Sequence, residues 1–556
     1  MAMGTGMKTN FSTREAICSL TVLLISGPIS AQQSNIDPTN QNTGYPASTN
    51  AQQSTQTVPL ASLATEGKAW IIRPRISLTE TYSDNVNVNR SNGGKQSDLI
   101  SELAPGVRVE ARTSRLNAYF DYALRGISYA NESGNNQSQN SLNTFGTFEA
   151  VDKWLYLDFS GLIAQQAISA FGTQSASNAT INNNTTETST FRLSPFIKGQ
   201  FAGSVDYFVR YNTSKTRSDA SSVSNVDLSE WTSQIKGSTP FQRLQWAVDA
   251  SRQNLDYSRG SKTEAERIRG MLTYSIVPEF RISGSLGTES NNYASRDQES
   301  RTTSGYGFDW FPTERTQVSV FKEKRFFGDG HNISISHRLP RSYIRYTDTR
   351  DVSVLPNQFG TVGLGSVYDI YYQLFSNLEP FASMTGIAKD AAVANAVSAL
   401  LAQQGIAPNS QIVSGYLTSR ATILRMQQLS LALTGVRNSI TFAANRSESE
   451  SVLATSALND DLSKSSSVRQ QGVAVTLSHR LSENAALTAV ISRQESNGNS
   501  TSTSPLKSTM TSYQINASTR LGTKTSGSLS VRRLEFDNNT NPYTENALIG
   551  SISFVY

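Results

Sequence analysis

The 556-residue chain contains one cysteine, three histidines and five tryptophans. Nowhere does it carry an uninterrupted apolar run of the roughly 20 residues that a membrane helix needs. The cysteine, Cys18, lies in an N-terminal stretch that reads as a secretory signal. Lys8 and Arg14 precede a short apolar core, Ala16 to Ser30, and Ala31 suits a cleavage site. Cys18 sits too early in that core to accept a lipid. Without residues 1–31 the chain has no thiol, which excludes disulfides, cysteine-based zinc sites and cysteine nucleophiles. Net charge is only +5, and the lysines and arginines are scattered, with no basic run and no interleaved aromatics. Nucleic acid is therefore not an expected partner. No phosphate-binding glycine loop, HExxH or EF-hand spacing appears, so no cofactor and no metal are expected. Asp537 to Asn546, "DNNTNPYTEN", reads as a polar loop rather than a calcium site.

What the chain does have is 36 Gly, 21 Tyr, 23 Phe and an abundance of Ser, Thr and Asn, with only 16 Pro. Residues 32–68 are Gln/Asn/Ser/Thr-rich without apolar periodicity and read as a disordered periplasmic leader. From Trp70 the pattern changes. Segments of about ten residues alternate apolar and polar, which is the period of a β-strand with two different faces. In "DLISELAPGVRVEAR", Leu99, Leu103, Val107, Val109 and Ala111 share one face, and Glu102, Arg108 and Glu110 the other. After the tight turn Thr113 to Arg115, Leu116, Ala118, Phe120, Tyr122 and Leu124 face out, with Asn117, Asp121 and Arg125 inward.

The connections alternate too. Short turns are expected near Asp152-Lys153, Ala202-Gly203, Thr239 to Arg243, Val277 to Glu279, Pro312 to Glu314, Leu339 to Arg341, Gly435 to Asn438, Arg480 to Asn484 and Gly522 to Thr525. Between them fall long polar loops: Ile168 to Ser189, Asn212 to Ser229, Glu289 to Arg301 and Glu495 to Ser508. Segregated loop lengths point to an all-β transmembrane fold, a closed antiparallel outer-membrane β-barrel of about 22 strands, within about 18–24, over residues 69–556. A sandwich gives no reason for such segregation, and no fixed repeat marks a solenoid. An even strand number places both mature termini in the periplasm. Near the end, Leu548, Ile552, Phe554 and Tyr556 alternate on one face. Ile552, Phe554 and Tyr556 match the C-terminal signal by which such barrels reach their assembly machinery.

One segment breaks the pattern. Glu379 to Gln404 reads as a helix with a loose apolar stripe and Gly405 as its stop. It lies in a loop insertion, 352–418. Two readings stay open: a helix packed on an external loop, or a constriction of the lumen.

The strand "ISLTETYSDNVNV", Ile76 to Val88, puts Glu80 and Asp84 in its apolar row. From Trp70 to Tyr82, at about 3.3 Å per residue and a tilt near 45°, the chain climbs roughly 28 Å. Trp70 and Tyr82 then mark the two membrane edges, with Ile72, Ile76 and Leu78 facing lipid. Glu80 falls near the upper interface, where a carboxylate costs little, and Asp84 beyond it.

The candidate lumen-lining residues are Glu102, Arg108, Asp121, Arg125, Asp158, Arg210, Asp249, Arg269, Arg281, Asp309, Arg338, Arg345 and Arg532. All fall on the face opposite the apolar one. Both charge signs there describe either charge compensation in a wet barrel or a conduit for a polar, anionic polymer. The three histidines suggest little chemistry. His331 is placed in a loop beside "FFGDG". His337 and His479 follow Ser336 and Ser478 directly, and adjacent strand residues point to opposite faces. A serine–histidine pair is not formed that way, so no enzyme is expected. Outer-membrane lipid hydrolysis remains the third alternative.

Several stretches together carry a likeness: "YSDNV" (82–86), "LAPGV" (103–107), "KRFFGDG" (324–330), "SHRLPRSYIRY" (336–346) and "TRDV" (349–352). In this order they resemble the outer-membrane barrel family associated with PEP-CTERM protein-sorting systems of Gram-negative bacteria. The resemblance implies a link to exosortase and exopolysaccharide gene clusters, and no defined catalytic residues. Tyr343-Ile344 departs mildly from the family's usual "RSxW". The expected function is a pore or scaffold in exopolysaccharide export or surface display. A general diffusion porin is the alternative. The partners expected are outer-membrane lipid, the barrel-assembly machinery, and exopolysaccharide or its export components.

Overall fold

The computed structural model describes residues 69–88, 94–201, 204–241, 243–260, 262–295, 297–354, 375, 393, 415–452, 460–499 and 506–556. The signal and leader, 1–68, lie outside them. So does the helix read over 379–404, apart from Val393, which is helical and buried.

Twenty-two strands form one antiparallel sheet. They are β1 (Trp70–Ser83), β2 (Asp98–Arg112), β3 (Leu116–Tyr129), β4 (Gln137–Val151), β5 (Leu155–Ala167), β6 (Thr185–Phe201), β7 (Val205–Ser218), β8 (Val226–Ser238), β9 (Leu244–Tyr257), β10 (Thr263–Val277) and β11 (Phe280–Asn291). The second half runs β12 (Glu299–Thr313), β13 (Thr316–Arg325), β14 (Gly328–Leu339), β15 (Ser342–Ser353), β16 (Thr422–Thr434), β17 (Asn438–Ser451), β18 (Ser467–Arg480), β19 (Ala485–Gly498), β20 (Leu506–Arg520), β21 (Thr525–Asn538) and β22 (Tyr543–Val555). Each strand pairs with its sequence neighbours, and β22 pairs with β1, so the sheet closes without an edge. Closure is what allows a sheet to lie in hydrocarbon, because no backbone N–H or C=O is left facing lipid.

The alternation sets the two faces. On β1, Trp70, Ile72, Ile76, Leu78 and Tyr82 are exposed, while Thr81 and Ser83, on either side of Tyr82, are buried. The same outward apolar row continues around the wall through Ile268, Leu272, Leu286, Ile491, Ile515, Leu529, Val531 and Ile552, all exposed. Soluble monomers rarely show so extensive an apolar surface. A closed barrel that wears it as a belt is an outer-membrane β-barrel.

Glu80 sits in the outward row of β1, opposite Ser101 of β2. The Ser101 hydroxyl donates to its carboxylate at 2.8 Å. Asp84 lies one residue past β1, at the end of the barrel that carries the longer loops. There it helps close the seam. The Asn546 backbone N–H donates to it at 2.7 Å and the Asn546 side-chain amide at 2.8 Å, with Lys95 Nζ at 3.3 Å. At the other end of the seam, the Tyr556 N–H donates to the Pro74 carbonyl at 2.9 Å.

Two sequence expectations are corrected. Much of what reads as loop is strand: the connection within Asn212 to Ser229 is only residues 219–225, and that within Glu289 to Arg301 only 292–298. Beyond the apolar belt both faces of a strand are wet, so the polarity alternation fades although backbone pairing continues. In addition, β13 and β14 are joined at the long-loop end by only Phe326 and Phe327, followed by Gly328 at φ +95°. His331 is therefore a strand residue of β14 and not a loop residue. Its Nε2 lies 2.8 Å from an Asp348 carboxylate oxygen.

Partial burial raises the pKa of Asp84, but the Asn546 and Lys95 bonds outweigh it and hold the carboxyl below its usual range. A depressed folded-state pKa means stability that is present above the unfolded-state pKa and lost as pH falls through the folded one. Asp84→Asn is expected to cost about 1 kcal/mol at neutral pH, the scale of a partly exposed charge-assisted contact. The difference from wild type should shrink on acidification. Heat-dependent gel mobility across a pH series measures it, and a difference that does not change with pH would contradict the assignment.

Candidate functional site

The inner wall is where the charged residues meet. Strand register places Glu102, Arg108, Asp121, Arg125, Asp158, Arg210, Asp249, Arg269, Arg281, Asp309, Arg338, Arg345 and Arg532 all on the face opposite the apolar belt. They do not form one site. Arg108, Asp121, Asp158, Arg210, Asp249, Arg269 and Arg532 fall into separate clusters spread around the circumference.

The first cluster spans β1 to β3. Asp121 accepts from Arg108 Nη2 at 2.8 Å, Arg75 Nη1 at 2.9 Å and the Tyr119 hydroxyl at 3.0 Å. Tyr119 stacks on Phe145, with ring centroids 5.1 Å apart. The second cluster spans β4 to β8. Asp158 takes Arg210 Nη2 at 2.8 Å and the Thr147 hydroxyl at 2.7 Å. Next to it, Asn212 donates to Glu230 at 3.0 Å. At the seam, Arg532 bonds both oxygens of Glu545 (3.1 and 3.2 Å), and the Ser83 hydroxyl donates to the same carboxylate at 2.9 Å.

The densest cluster covers β9 to β15. Arg269 Nη2 meets Asp249 at 2.8 Å and its Nη1 lies 3.7 Å from Glu323. Arg267 also contacts Glu323. Arg325 bonds Glu289 through Nη2 at 2.6 Å and Nε at 3.0 Å, and contacts Asp351. Sequence reasoning did not single out Glu289, Glu323, Arg325 or Asp351, although all four occupy inward positions. Gly305 of β12 makes room for this packing. A Cβ there would stand 2.9 Å from the Phe321 ring, and Arg269 lies over that ring.

The second component is at the long-loop end. Residues 168–184, between β5 and β6, do not project outward. They reach across the mouth to a one-turn helix, α1 (Asp461–Lys464), whose Asp461 accepts from the Ser169 hydroxyl at 2.6 Å and the Ala170 N–H at 2.7 Å. Burial pushes the Asp461 carboxyl up against the pull of those two donors. From there the loop runs along the rim. Ser508 donates to the Ala170 carbonyl at 2.8 Å, and Tyr543 to that of Gln174. The Ile181 N–H donates to the Val86 carbonyl at 3.1 Å, and the Tyr129 hydroxyl to that of Ala179 at 2.7 Å.

From the other side, Ala167 bridges Tyr416, and the Leu417 N–H donates to the Ala167 carbonyl at 3.2 Å. Small apolar clusters fill the space beneath. One holds Val226, Leu228, Leu255, Tyr257, Tyr293 and Val352, and another Val86, Ile100, Ile127, Tyr129 and Ala179. Loops spanning the mouth had no clear signal in the sequence. Phe171 and Ile181 in an otherwise polar loop are the one trace of it.

The histidines stand apart from the lumen. His337 Nδ1 pairs with the Thr316 hydroxyl at 2.8 Å and His479 Nδ1 with the Asn438 side chain at 2.6 Å, both close to the short-turn end. The Ser478 hydroxyl is buried on the opposite face, 3.4 Å from that of Thr488. Among the described residues no group of three or more acidic or histidine side chains is arranged to hold a metal.

No known protein family matches the chain, and no curated protein does. Solved structures with similarity include the FrpB iron transporter of Neisseria meningitidis: 9% identity, 89% of this chain and 82% of that one, TM-score 0.47. The siderophore receptor PirA of Pseudomonas aeruginosa gives 8% identity, 87% and 80% coverage, and a TM-score of 0.43. PirA of Acinetobacter baumannii gives 6% identity, the same coverage, and 0.45. At these scores the fold stands on the barrel's own strand pairing.

Removing one member of a buried ion cluster strands its partners and costs about 3–5 kcal/mol. An exposed pair contributes about 1 kcal/mol or less. Glu323→Ala, which leaves Arg267 and Arg269 undercompensated, should therefore destabilise the barrel by about 3–5 kcal/mol. Asp227→Ala, which breaks an exposed pair with Arg217, should cost about 1 kcal/mol or less. Urea unfolding in lipid vesicles measures both, and equal losses would contradict this ranking.

Proposed function

We propose that this outer-membrane barrel is a gated conduit, or the scaffold of one, for a polar polymer, with exopolysaccharide or its export components as partners. The reading is non-enzymatic. One observation carries it: residues 168–184 are tied across the mouth by side-chain bonds to α1, β20, β22 and the first strands. A wall of paired charges beneath a tethered lid suits a hydrated cargo that passes when the tethers release. The likeness to barrels of PEP-CTERM sorting systems supports the choice of polymer and rests on the sequence stretches alone. Lipid against the apolar belt and the barrel-assembly machinery at the C-terminal strand complete the proposed partners.

A general diffusion porin is the second reading, favoured by the hydrogen-bonding inner wall. A diffusion pore is open at rest, however, and the crossing loops argue for one that is not.

Single-channel conductance in planar bilayers separates the two. Wild type is expected to conduct weakly. Asp461→Ala combined with Tyr543→Phe, which removes two lid tethers, is expected to raise the open probability or step size several-fold. Deletion of Glu379 to Gln404 tests whether that insertion also narrows the path. A wide, steadily open wild type would favour the porin. Silence in all three forms would end the conduit reading.

A further inference from the structure

The outer surface has a feature that neither the belt nor the lumen accounts for. Across β16 to β19, two outward rows lie one above the other in register. The lower row runs Leu429, Ala444, Val473, Arg493. The upper one runs Gln427, Arg446, Gln471, Glu495. Below both, Leu431, Phe442, Val475 and Ile491 continue the apolar belt. The small Ala444 between larger neighbours leaves a groove of about 390 Å³ at the boundary between belt and polar rim.

Two guanidiniums line this groove: Arg493, which meets no carboxylate among the described residues, and Arg446, whose one ion pair is a long contact with a shared carboxylate. Among the described residues, those of Arg425 and Arg469 are closely paired with carboxylates on the same face. Arg425 meets Asp348 at 2.7 Å, and Arg469 meets Glu448 at 2.9 Å. Lys507 meets Glu495 at 3.3 Å. Arg446 lies 3.8 Å from Glu448, which already holds Arg469. Arg493 stands in the apolar row beside Val473, and the one carboxylate lining the groove, Glu495, is bonded to Lys507 and Asn497. An arginine beside an apolar row without an internal counterion favours an anion from outside, and its planar fork matches the oxygens of a phosphate. The two strands that carry Arg446 and Arg493 are separated by β18, about 9–10 Å at ordinary strand spacing.

We infer that this groove binds the phosphate-bearing headgroup of a membrane lipid. The phosphate lies against Arg446 and Arg493, and the acyl chains descend over Leu429, Ala444 and Val473. A lipid is favoured over a free anion because the apolar floor is continuous with the belt. The inference rests on the membrane-barrel reading, not on the conduit reading.

Native mass spectrometry of the full barrel, released from vesicles of phosphatidylcholine and phosphatidylglycerol mixed equally, tests it. Wild type should retain phosphatidylglycerol preferentially. Arg446→Gln with Arg493→Gln should lower that preference at least about five-fold. Arg533→Gln, which removes one charge from the outer face on β21, should leave it unchanged. Inorganic phosphate at millimolar concentration should not displace the lipid. No preference in wild type, an undiminished preference in the double variant, an equal loss in Arg533→Gln, or displacement by free phosphate would each overturn the lipid site. Failure to insert into the vesicles at all would overturn the barrel reading and this inference with it. Insertion without lipid preference overturns the inference alone.

Discussion

The structure depends on one bond ladder, the pairing of β22 with β1 from Arg75–Val555 to Ser83–Ala547. Without it the sheet would have two edges, and in hydrocarbon each unpaired backbone group costs several kcal/mol. Closure turns the alternation of side chains into an inside and an outside. It also explains why the seam is fastened at both ends by more than its ladder. Asp84 and Asn546 tie one end, Pro74 and Tyr556 the other, and Ser83, Glu545 and Arg532 brace it from within.

Once the barrel is closed, each face has its own electrostatics. Outward charges are rare in the belt and return where the strands leave it, as at Glu80 with its Ser101 partner. Inward charges are numerous and largely matched. Asp121 holds two arginines, Arg325 two carboxylates, and Glu323 lies between Arg267 and Arg269. Such matching suits a wall only partly open to water. A fully wet lumen would screen each charge separately, and a dry one would leave every unmatched charge very costly. Arginine suits the role because its planar fork bridges two carboxylates at once, as Arg325 does between Glu289 and Asp351.

The sequence made the barrel legible because a membrane forces period-2 alternation and segregates the turns. Trp70 to Tyr82, the turn Thr113 to Arg115 and the strand Leu116 to Leu124 all follow from that pattern. Strand ends were less legible. Above the belt neither face is apolar, so Asn212 to Ser218 and Val226 to Ser229 read as loop although both are paired. His331 was misplaced for a different reason: "GDG" signals a turn, whereas the turn itself is Phe326-Phe327. The inward face of each charged residue followed from alternation, but which charges meet did not. Cross-strand partners such as Arg269 and Asp249 depend on register, and register is set by pairing rather than by local composition. The lid was least legible, since bonds such as Ser169 to Asp461 join residues far apart in the chain.

The barrel and its lid differ in how they are held. The wall is a continuous ladder in which each strand is locked by two neighbours, and its opening would expose backbone to lipid. The lid rests on small apolar clusters such as Ala170, Tyr416, Leu462 and Val468, and on single bonds from strand-end side chains to loop carbonyls. These bonds are buried, but they are few and local, and segments held by few contacts open at free energies below that of global unfolding. A released loop finds water at once for its carbonyls, so the net loss per bond is about 1 kcal/mol. In the gated conduit proposed above, the loop would release while the wall stays intact, because only the wall is constrained by the membrane.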